Sequence, residues 1–168
     1  TAPRRVSERE IRDFVAGKSA WLTKYMALVP EKIKFHYVTG EIHHVFGRAY
    51  PLQVCLGMRD DAVVSTDGEL QLVLRTKQRE REKVFKAGMK RILLWEIEKQ
   101  LEIWMKRMAI PESRITGVTI RAMKSRWGSC RRVTGRFSFA LDLVTKPKDC
   151  IEAVVVHELC HLFAAGHG

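Results

Sequence analysis

The apolar positions of residues 7–29 recur every three or four residues, which is the spacing of one face of an α-helix. They are Ile11, Phe14, Val15, Trp21, Leu22, Tyr25 and Leu28. Ser7 and Glu10 show the pattern of a capping box ahead of them, and Pro30 ends the periodicity. The pattern therefore predicts an amphipathic helix between Ser7 and Pro30.

Short apolar runs separated by turn residues follow, and they predict strands joined by tight turns. The turn signals are Gly40, Gly47, Gly57 and the hairpin pair Asp67-Gly68. Leucines then alternate with other residues from 70 to 74, so we expect a sheet with one wet face. His43 and His44 are adjacent, and neighbours in a strand point to opposite faces. They are therefore predicted to be surface or core histidines rather than ligands of one metal ion.

Residues 78–110 predict a long amphipathic helix that Pro111 ends. The predicted apolar side is Val84, Gly88, Ile92, Trp95, Leu101, Trp104, Met105 and Met108. The other side carries alternating charges, which is typical of a solvated face. The aromatic and methionine stripe favours a core role over a cofactor site.

Two more strands and a last helix are predicted in the remaining residues. Residues 114–123 and 137–144 have strand patterns, and residues 125–136 predict a loop with turns. Asp149 and Glu152 have the spacing of a capping box at the start of the last helix. Together the elements predict an α+β fold, in which the long helix packs on a twisted, mostly antiparallel sheet. We expect residues 1–168 to be a single domain that is shortened at both ends.

The composition favours a globular protein, with 46% apolar residues among 168. No apolar run approaches the roughly 18 residues of a membrane span, and no leader is apparent, so the predicted location is the cytoplasm. The cysteines form no C-x-x-C pair and are expected to be free thiols; they are Cys55, Cys130, Cys150 and Cys160.

The chain is strongly basic, with 30 Lys and Arg against 19 Asp and Glu and a formal net charge of +11. Such an excess can attract nucleic acid, anionic membrane, or phosphorylated and acidic substrates. No basic run is interleaved with aromatic residues as in single-strand binders, so a solvated basic surface is the simpler interpretation. No pattern for base readout is present, so any contact with nucleic acid is expected to ignore sequence. The sequence predicts no particular oligomeric state.

Chemistry is concentrated in the segment V-V-V-H-E-L-C-H, residues 154–161. His157 and His161 are four residues apart, so a helix places both imidazoles on one face, and Glu158 is beside the first. This is the H-E-x-x-H arrangement of zinc hydrolases, although two histidines and a glutamate also meet by chance in helices of this length. The apolar run before His157 predicts a buried helix, on which these polar groups are costly unless they are paired or bind a metal.

His167 is the third candidate ligand, six residues after His161. A continuous helix would carry His167 away from the other two, but Gly166 can end the helix and turn the chain back. Three protein ligands leave a fourth position for water, which is typical of catalytic zinc sites. Zinc lowers the pKa of such a water from about 15.7 to about 7, and Glu158 would act as general base.

A second signature, K-S-R-W-G-S-C at residues 124–130, precedes this segment. Together the two resemble the YgjP-like family of zinc metallopeptidases, relatives of the WLM and SprT-type proteases in the zincin group. The matching residues are Lys124, Ser125, Arg126, Trp127, Gly128, Ser129, Cys130, Pro147, His157, Glu158, His161 and His167. The chain departs from the family at Ala140, where asparagine is usual. The family also has strands before Thr1 and a helical segment after the third histidine.

The resemblance implies a zincin-like fold and a zinc-dependent hydrolysis of peptide bonds in peptide or protein substrates. It also implies that an edge strand beside the cleft aligns the substrate, for which residues 136–144 are the candidate. A zinc-dependent nucleoside triphosphate pyrophosphatase is one alternative, and a DNA-associated protease is another.

The K-S-R-W-G-S-C stretch permits two interpretations. In the functional one, Arg126 contacts a carboxylate, phosphate or oxyanion of the substrate, and Gly128 lets the backbone approach the metal cleft. In the structural one, Trp127 is a core plug, Gly128 a turn, and Ser129 and Cys130 small packing residues. Cys130 is not expected to be a fourth ligand, since it would close the position that water needs.

Overall fold

The computed structural model of the chain describes residues 7–17, 34–77 and 79–163. The chain divides into two compact units, Thr1–Phe35 and His36–Gly168. In the first unit, helix α1 (Glu8–Gly17) begins directly after Ser7, where the sequence predicts a helix to start. Residues 18–30 of that prediction, and the Glu10 side chain of the predicted capping box, lie outside the described residues.

The first sheet of the second unit has four strands in the order β1-β2-β4-β3. They are β1 (Ile42–Val45), β2 (Arg48–Leu56), β3 (Asp61–Val64) and β4 (Leu70–Leu74). The β1–β2 and β3–β4 pairs are antiparallel, whereas β2 and β4 are parallel. Phe46 and Gly47 connect β1 to β2 with φ values of 50° and 80°, and the predicted turn at Asp67-Gly68 connects β3 to β4. The predicted tight turn at Gly47 and the predicted hairpin turn at Asp67-Gly68 are therefore confirmed.

The second sheet has three strands in the order β5-β7-β6. They are β5 (Gly117–Arg121), β6 (Gly128–Arg131) and β7 (Arg136–Ala140). β7 pairs with β5 in parallel and with β6 antiparallel. Short 3-10 helices precede and follow this sheet at Glu112–Arg114 and Leu141–Thr145.

The predicted α+β class is confirmed, but the sheet differs from the prediction. Two mixed sheets take the place of one mostly antiparallel sheet, and each contains one parallel pair. Hairpin turns mark antiparallel neighbours in a sequence, whereas a parallel pair is joined by a longer crossover without a local signal.

Helix α2 (Arg81–Arg107) packs against both sheets with one face. The buried residues are Phe85, Gly88, Met89, Leu93, Glu96, Ile97 and Leu101. The predicted stripe was right at Gly88 and Leu101, which are buried, and at five partly buried residues that pack against the core: Val84, Ile92, Trp104, Met105 and Met108. It was wrong at Trp95, which is 61% exposed with Lys99 Nζ 5.8 Å from its ring. Apolar residues at four successive positions, 92–95, made the true face ambiguous. Within the described residues, no helix combines the length and the apolar character that crossing a membrane requires.

The adjacent histidines of β1 point to opposite faces, as predicted. His43 is 4% exposed, and its ring lies 4.6 Å from that of Phe85 and 5.5 Å from that of Tyr37. Its Nε2 is 2.9 Å from Glu41 Oε2. His44 is exposed. His43 is therefore a hydrogen-bonded core histidine.

Candidate metal centre

Helix α3 (Lys148–Cys160) carries the H-E-x-x-H segment at its carboxyl end. Pro147 precedes the helix with ψ 152°, and its fixed φ suits this position. The predicted capping box of Asp149 and Glu152 is not formed, because the helix begins one residue before Asp149. Asp149 instead lies in the first turn, where its negative charge interacts favourably with the helix dipole.

Only one side of α3 is buried, and Glu158 lies on that side. The buried residues, Ile151, Val155, Glu158 and Leu159, follow helical spacing. The prediction that the whole apolar run is buried was wrong, since Ala153 is exposed. His157 is exposed and His161 is half-buried, so the burial argument holds for the carboxylate and not for the imidazoles.

His157, Glu158 and His161 come together as a group that could hold a metal ion. One ligand atom from each residue lies within 4.8 Å of the other two. The two imidazole rings are perpendicular, with centroids 4.9 Å apart. Imidazole nitrogens bind zinc at about 2.0–2.1 Å in a tetrahedral arrangement, so two donors to one ion are roughly 3.4 Å apart. The donor types suit a divalent ion, and small side-chain movements would bring the three atoms to that spacing.

Gly128 of β6 makes the position of the Glu158 carboxyl group possible. A Cβ atom at residue 128 would lie 2.6 Å from Glu158 Oε1, 2.7 Å from its Cγ and 2.9 Å from its Cδ. Any side chain at this position would therefore displace the carboxyl group. Gly128 is in a strand and not in a turn, but the predicted close approach of its backbone is present.

Cys130, two residues further along β6, is half-buried beside the same carboxyl group. Burial raises the pKa of the Cys130 thiol, and the negative charge of Glu158 raises it further, against a smaller opposite effect of Arg114. Among the described residues, the metal-binding group does not include Cys130.

The first half of α3 is held by side chains of α2, which the sequence did not reveal. Trp104 Nε1 donates a hydrogen bond to Glu152 Oε1 at 2.9 Å. Glu96 is fully buried, with Oε2 2.7 Å from Lys148 Nζ and Oε1 accepting from Gln100 Nε2 at 3.0 Å. Burial alone would raise the pKa of Glu96, but these two hydrogen bonds outweigh it and the pKa is lowered.

The β1–β2 turn also supports the start of α3. Phe46 N donates to Val144 O at 2.7 Å, and Lys148 Nζ lies 4.9 Å from the Phe46 ring. A Cβ on Gly47 would lie 3.0 Å from Pro147 Cγ, so this turn packs directly on the residue before the helix. The helix that carries the histidines is therefore fixed from two directions.

Two other residues of the predicted site, Arg126 and Trp127, lie at the surface. Arg126 is exposed in the loop between β5 and β6, and no other described residue forms a hydrogen bond or ion pair with it. Trp127 is 46% exposed, so its prediction as a core plug was wrong; Lys146 Nζ lies 5.5 Å from its ring. His167 and Gly166 lie outside the described residues.

The predicted substrate-aligning strand is also corrected. β7 is the central strand of its sheet and pairs on both sides, and residues 141–145 form a 3-10 helix. The strand that contacts α3 is β6, through Gly128. Since β6 pairs only with β7 among the described strands, it is the edge strand next to the histidines.

No curated protein and no solved structure matches the chain significantly. A family model described as YgjP-like, metallopeptidase domain, matches residues 1–168, the whole chain. A metallopeptidase is a hydrolase that works with a metal ion, and the His157, Glu158 and His161 group is compatible with such an ion. The chain therefore belongs to the YgjP-like metallopeptidase family.

Proposed function

We propose that the chain is a zinc-dependent peptidase in which His157 and His161 bind the ion and Glu158 is the general base. The observation that carries the proposal is the convergence of these three side chains within 4.8 Å at the end of α3. His167 is proposed as the third ligand on the sequence pattern alone. Family membership supports a metal-dependent hydrolase, and two imidazoles favour zinc over the oxygen-preferring cations.

A zinc ion bound here would supply Lewis acidity, which lowers the pKa of water to about 7 and polarises the carbonyl group under attack. The remaining chemistry belongs to the chain. Glu158 takes a proton from the attacking water and delivers it to the leaving nitrogen as the peptide C–N bond breaks. Packing against Gly128 holds the carboxyl group in one place, so the base needs little movement to reach the attacking water.

The outer edge of β6 is the proposed position of the substrate backbone. An extended peptide can add to an unpaired strand edge through main-chain hydrogen bonds, which do not depend on sequence. Gly128 is on this strand and contacts Glu158, so the edge leads to the proposed base. Arg126, just before β6, is proposed to contact a carboxylate or oxyanion of the substrate.

The experiment compares Glu158→Gln with Glu152→Gln, a matched change about 1.7 turns earlier on the same helix. Glutamine at 152 keeps an oxygen that can accept the Trp104 hydrogen bond. Both variants should bind zinc at the wild-type stoichiometry, measured by elemental analysis. Cleavage of an unstructured protein should fall by at least about 10²-fold for Glu158→Gln only, because general-base catalysis contributes that much.

Two outcomes would overturn the proposal. Full peptidase activity of Glu158→Gln with bound zinc would exclude the general-base role. Release of pyrophosphate from nucleoside triphosphates, with loss in Glu158→Gln and no cleavage of protein, would identify a nucleotide hydrolase instead. Repeating both assays in the presence of a chelator shows whether either activity requires the metal.

A further inference from the structure

Much of the net positive charge of the chain lies in the second sheet and its loops, because this segment has no acidic residue. Residues 114–140 contain seven basic residues and no acidic one. The seven are Arg114, Arg121, Lys124, Arg126, Arg131, Arg132 and Arg136. Elsewhere in the second unit, acidic residues often pair with the basic ones, as in Asp60–Arg79 and Asp61–Arg91. The second sheet thus differs in charge from the rest of the described chain.

Strand register sorts this sheet into an apolar face and a basic face. Ile120, Phe137 and Phe139 are buried on the inner face, where Gly128 also meets Glu158. Val118 and Cys130 share that inner face, and alternation along the strands places the side chains between these positions on the outer face. Apart from the buried Ala140, the outer side chains are Thr119, Arg121, Ser129, Arg131, Arg136 and Ser138. We call these six residues the arginine face.

The three arginines of this face are exposed and have no acidic partner among the described residues. Arg131 and Arg136 are direct cross-strand partners. Like charges in that arrangement destabilise a sheet, so the pair opposes folding instead of aiding it. A local feature that weakens the fold without a structural gain points to a function, and two adjacent guanidinium groups match a phosphate.

The face also offers hydroxyl groups and a neighbouring aromatic ring. Thr119 Oγ1 and Ser138 Oγ are 3.0 Å apart between the arginines at the two ends of the sheet. Trp127 O accepts from Ala140 N at 2.8 Å, and Ala140 is the register partner of Arg121. The half-exposed indole of Trp127 therefore lies at the Arg121 end of the sheet, with Lys146 beside it.

We propose that the arginine face, with Trp127, binds single-stranded nucleic acid. Arginines contact the phosphates, hydroxyl groups contact phosphate or sugar, and the indole stacks on a base. An acidic polypeptide would match the arginines but has no planar bases for the indole. The bound strand lies on the opposite face of the sheet from Glu158, so binding does not require the peptidase reaction.

The test measures binding of a fluorescein-labelled 30-nucleotide oligo(dT) to the full chain by anisotropy. The variant Arg121→Gln, Arg131→Gln, Arg136→Gln removes three charges from the face. Its matched control removes three exposed charges elsewhere: Arg48→Gln, Arg59→Gln, Lys90→Gln. The face variant should bind at least tenfold more weakly, and the control within about threefold of wild type. The slope of log K against log salt should fall by about 2 in the face variant, at about 0.7 per phosphate.

Three further measurements test the stacking role of Trp127, the stability of the face variant and the independence from Glu158. Trp127→Leu should weaken binding by roughly fivefold or more, because base stacking on aromatic rings contributes that much. The face variant should unfold at an equal or higher temperature than wild type, since it loses a like-charge pair. Glu158→Gln should bind as wild type does, which separates this proposal from the peptidase proposal.

Three outcomes would overturn the proposal. Equal weakening by the face variant and its control would mean a general effect of charge. Tighter binding of a duplex, with no effect of Trp127→Leu, would exclude a single-strand site. Competition by poly-glutamate at the same charge concentration as oligo(dT), again without an effect of Trp127→Leu, would identify an acidic polypeptide as the partner.

Discussion

Gly128 connects the two signatures of the chain at the level of single atoms. Its missing side chain leaves the space that the Glu158 carboxyl group fills, with Oε1 2.6 Å from where a Cβ would lie. The atoms in the way are the far end of a flexible side chain and not backbone. The fold can therefore accommodate an added methyl group, but the carboxyl group must move to do so.

We therefore expect Gly128→Ala to fold normally, to bind metal and to lose activity. A displacement of about 1 Å at a catalytic group can cost on the order of 100-fold in rate. The measurement is kcat/KM for an unstructured protein substrate, with the melting temperature and zinc content recorded in parallel. Ser129→Ala, the next residue of β6, serves as the control. Wild-type rates in Gly128→Ala would show that this contact does not position the base.

At the residue scale, the sequence predicted what depends on neighbours in the chain. A spacing of four residues is enough to bring His157 and His161 together, whatever the helix packs against. The contact of Gly128 with Glu158 joins residues 30 positions apart. The motif suggested that Gly128 approaches the metal cleft, but no local pattern showed that the Glu158 carboxyl group is what it contacts. The exposure of Trp127 likewise depends on how β6 lies in its sheet, and the apolar character of tryptophan predicted the opposite.

Among the elements, α2 acts as the support of α3. Glu96 is a buried carboxylate on α2 whose partner, Lys148, is in the first turn of α3. A buried charge is tolerated when it is paired and hydrogen-bonded, as here by Lys148 and Gln100. The sequence did not distinguish Glu96 from the charged residues of the solvated face, and no pattern showed which cation would pair with it.

Glu96→Gln should lower the free energy of unfolding at pH 7 by about 1–2 kcal/mol, since Lys148 is half-exposed and its pairing is partly screened. The pKa of Glu96 in the folded protein is below its ordinary value of 4.5. The ionised carboxylate therefore makes its full contribution to the free energy of unfolding above pH 4.5. As the pH falls through the folded pKa, that contribution is lost. The difference between wild type and variant should shrink towards pH 3, as measured by urea unfolding. A constant difference across this range would contradict the ionised pairing.

Strand order was the least predictable part of the fold. The antiparallel β1–β2 and β3–β4 neighbours were predictable because short turns enforce them. The parallel β2–β4 and β5–β7 pairs depend on packing over residues far apart in the chain. The same limitation misplaced the substrate strand: β7 has the stronger strand pattern, but the edge position belongs to the shorter β6.

Across the second unit, positive and negative charges are distributed unevenly. The first sheet and α2 combine cations with nearby carboxylates, as in Arg91 with Asp61 and Lys106 with Glu102. The second sheet carries cations alone on its outer face. The net charge of +11 is therefore not a uniform surface property, and the sequence-level interpretation as a solvated surface did not anticipate this face.

Side chains of α2 contact the first half of α3, at Lys148 and Glu152, and the β1–β2 turn packs on Pro147. Near the other end, Arg114 donates a long hydrogen bond to Leu162 O at 3.4 Å. The histidines are at the carboxyl end, and helix ends open more readily than helix centres, so we expect local opening to include them first.

Amide hydrogen exchange can follow this difference residue by residue. We expect slow exchange at residues 151–156 in both metal-loaded and chelator-treated protein. Residues 157–163 should be protected in the loaded protein and should exchange markedly faster after chelation. An ion held by His157 and His161 would in that case complete the last helical turn as well as the reaction chemistry, so that empty protein carries a frayed and inactive end.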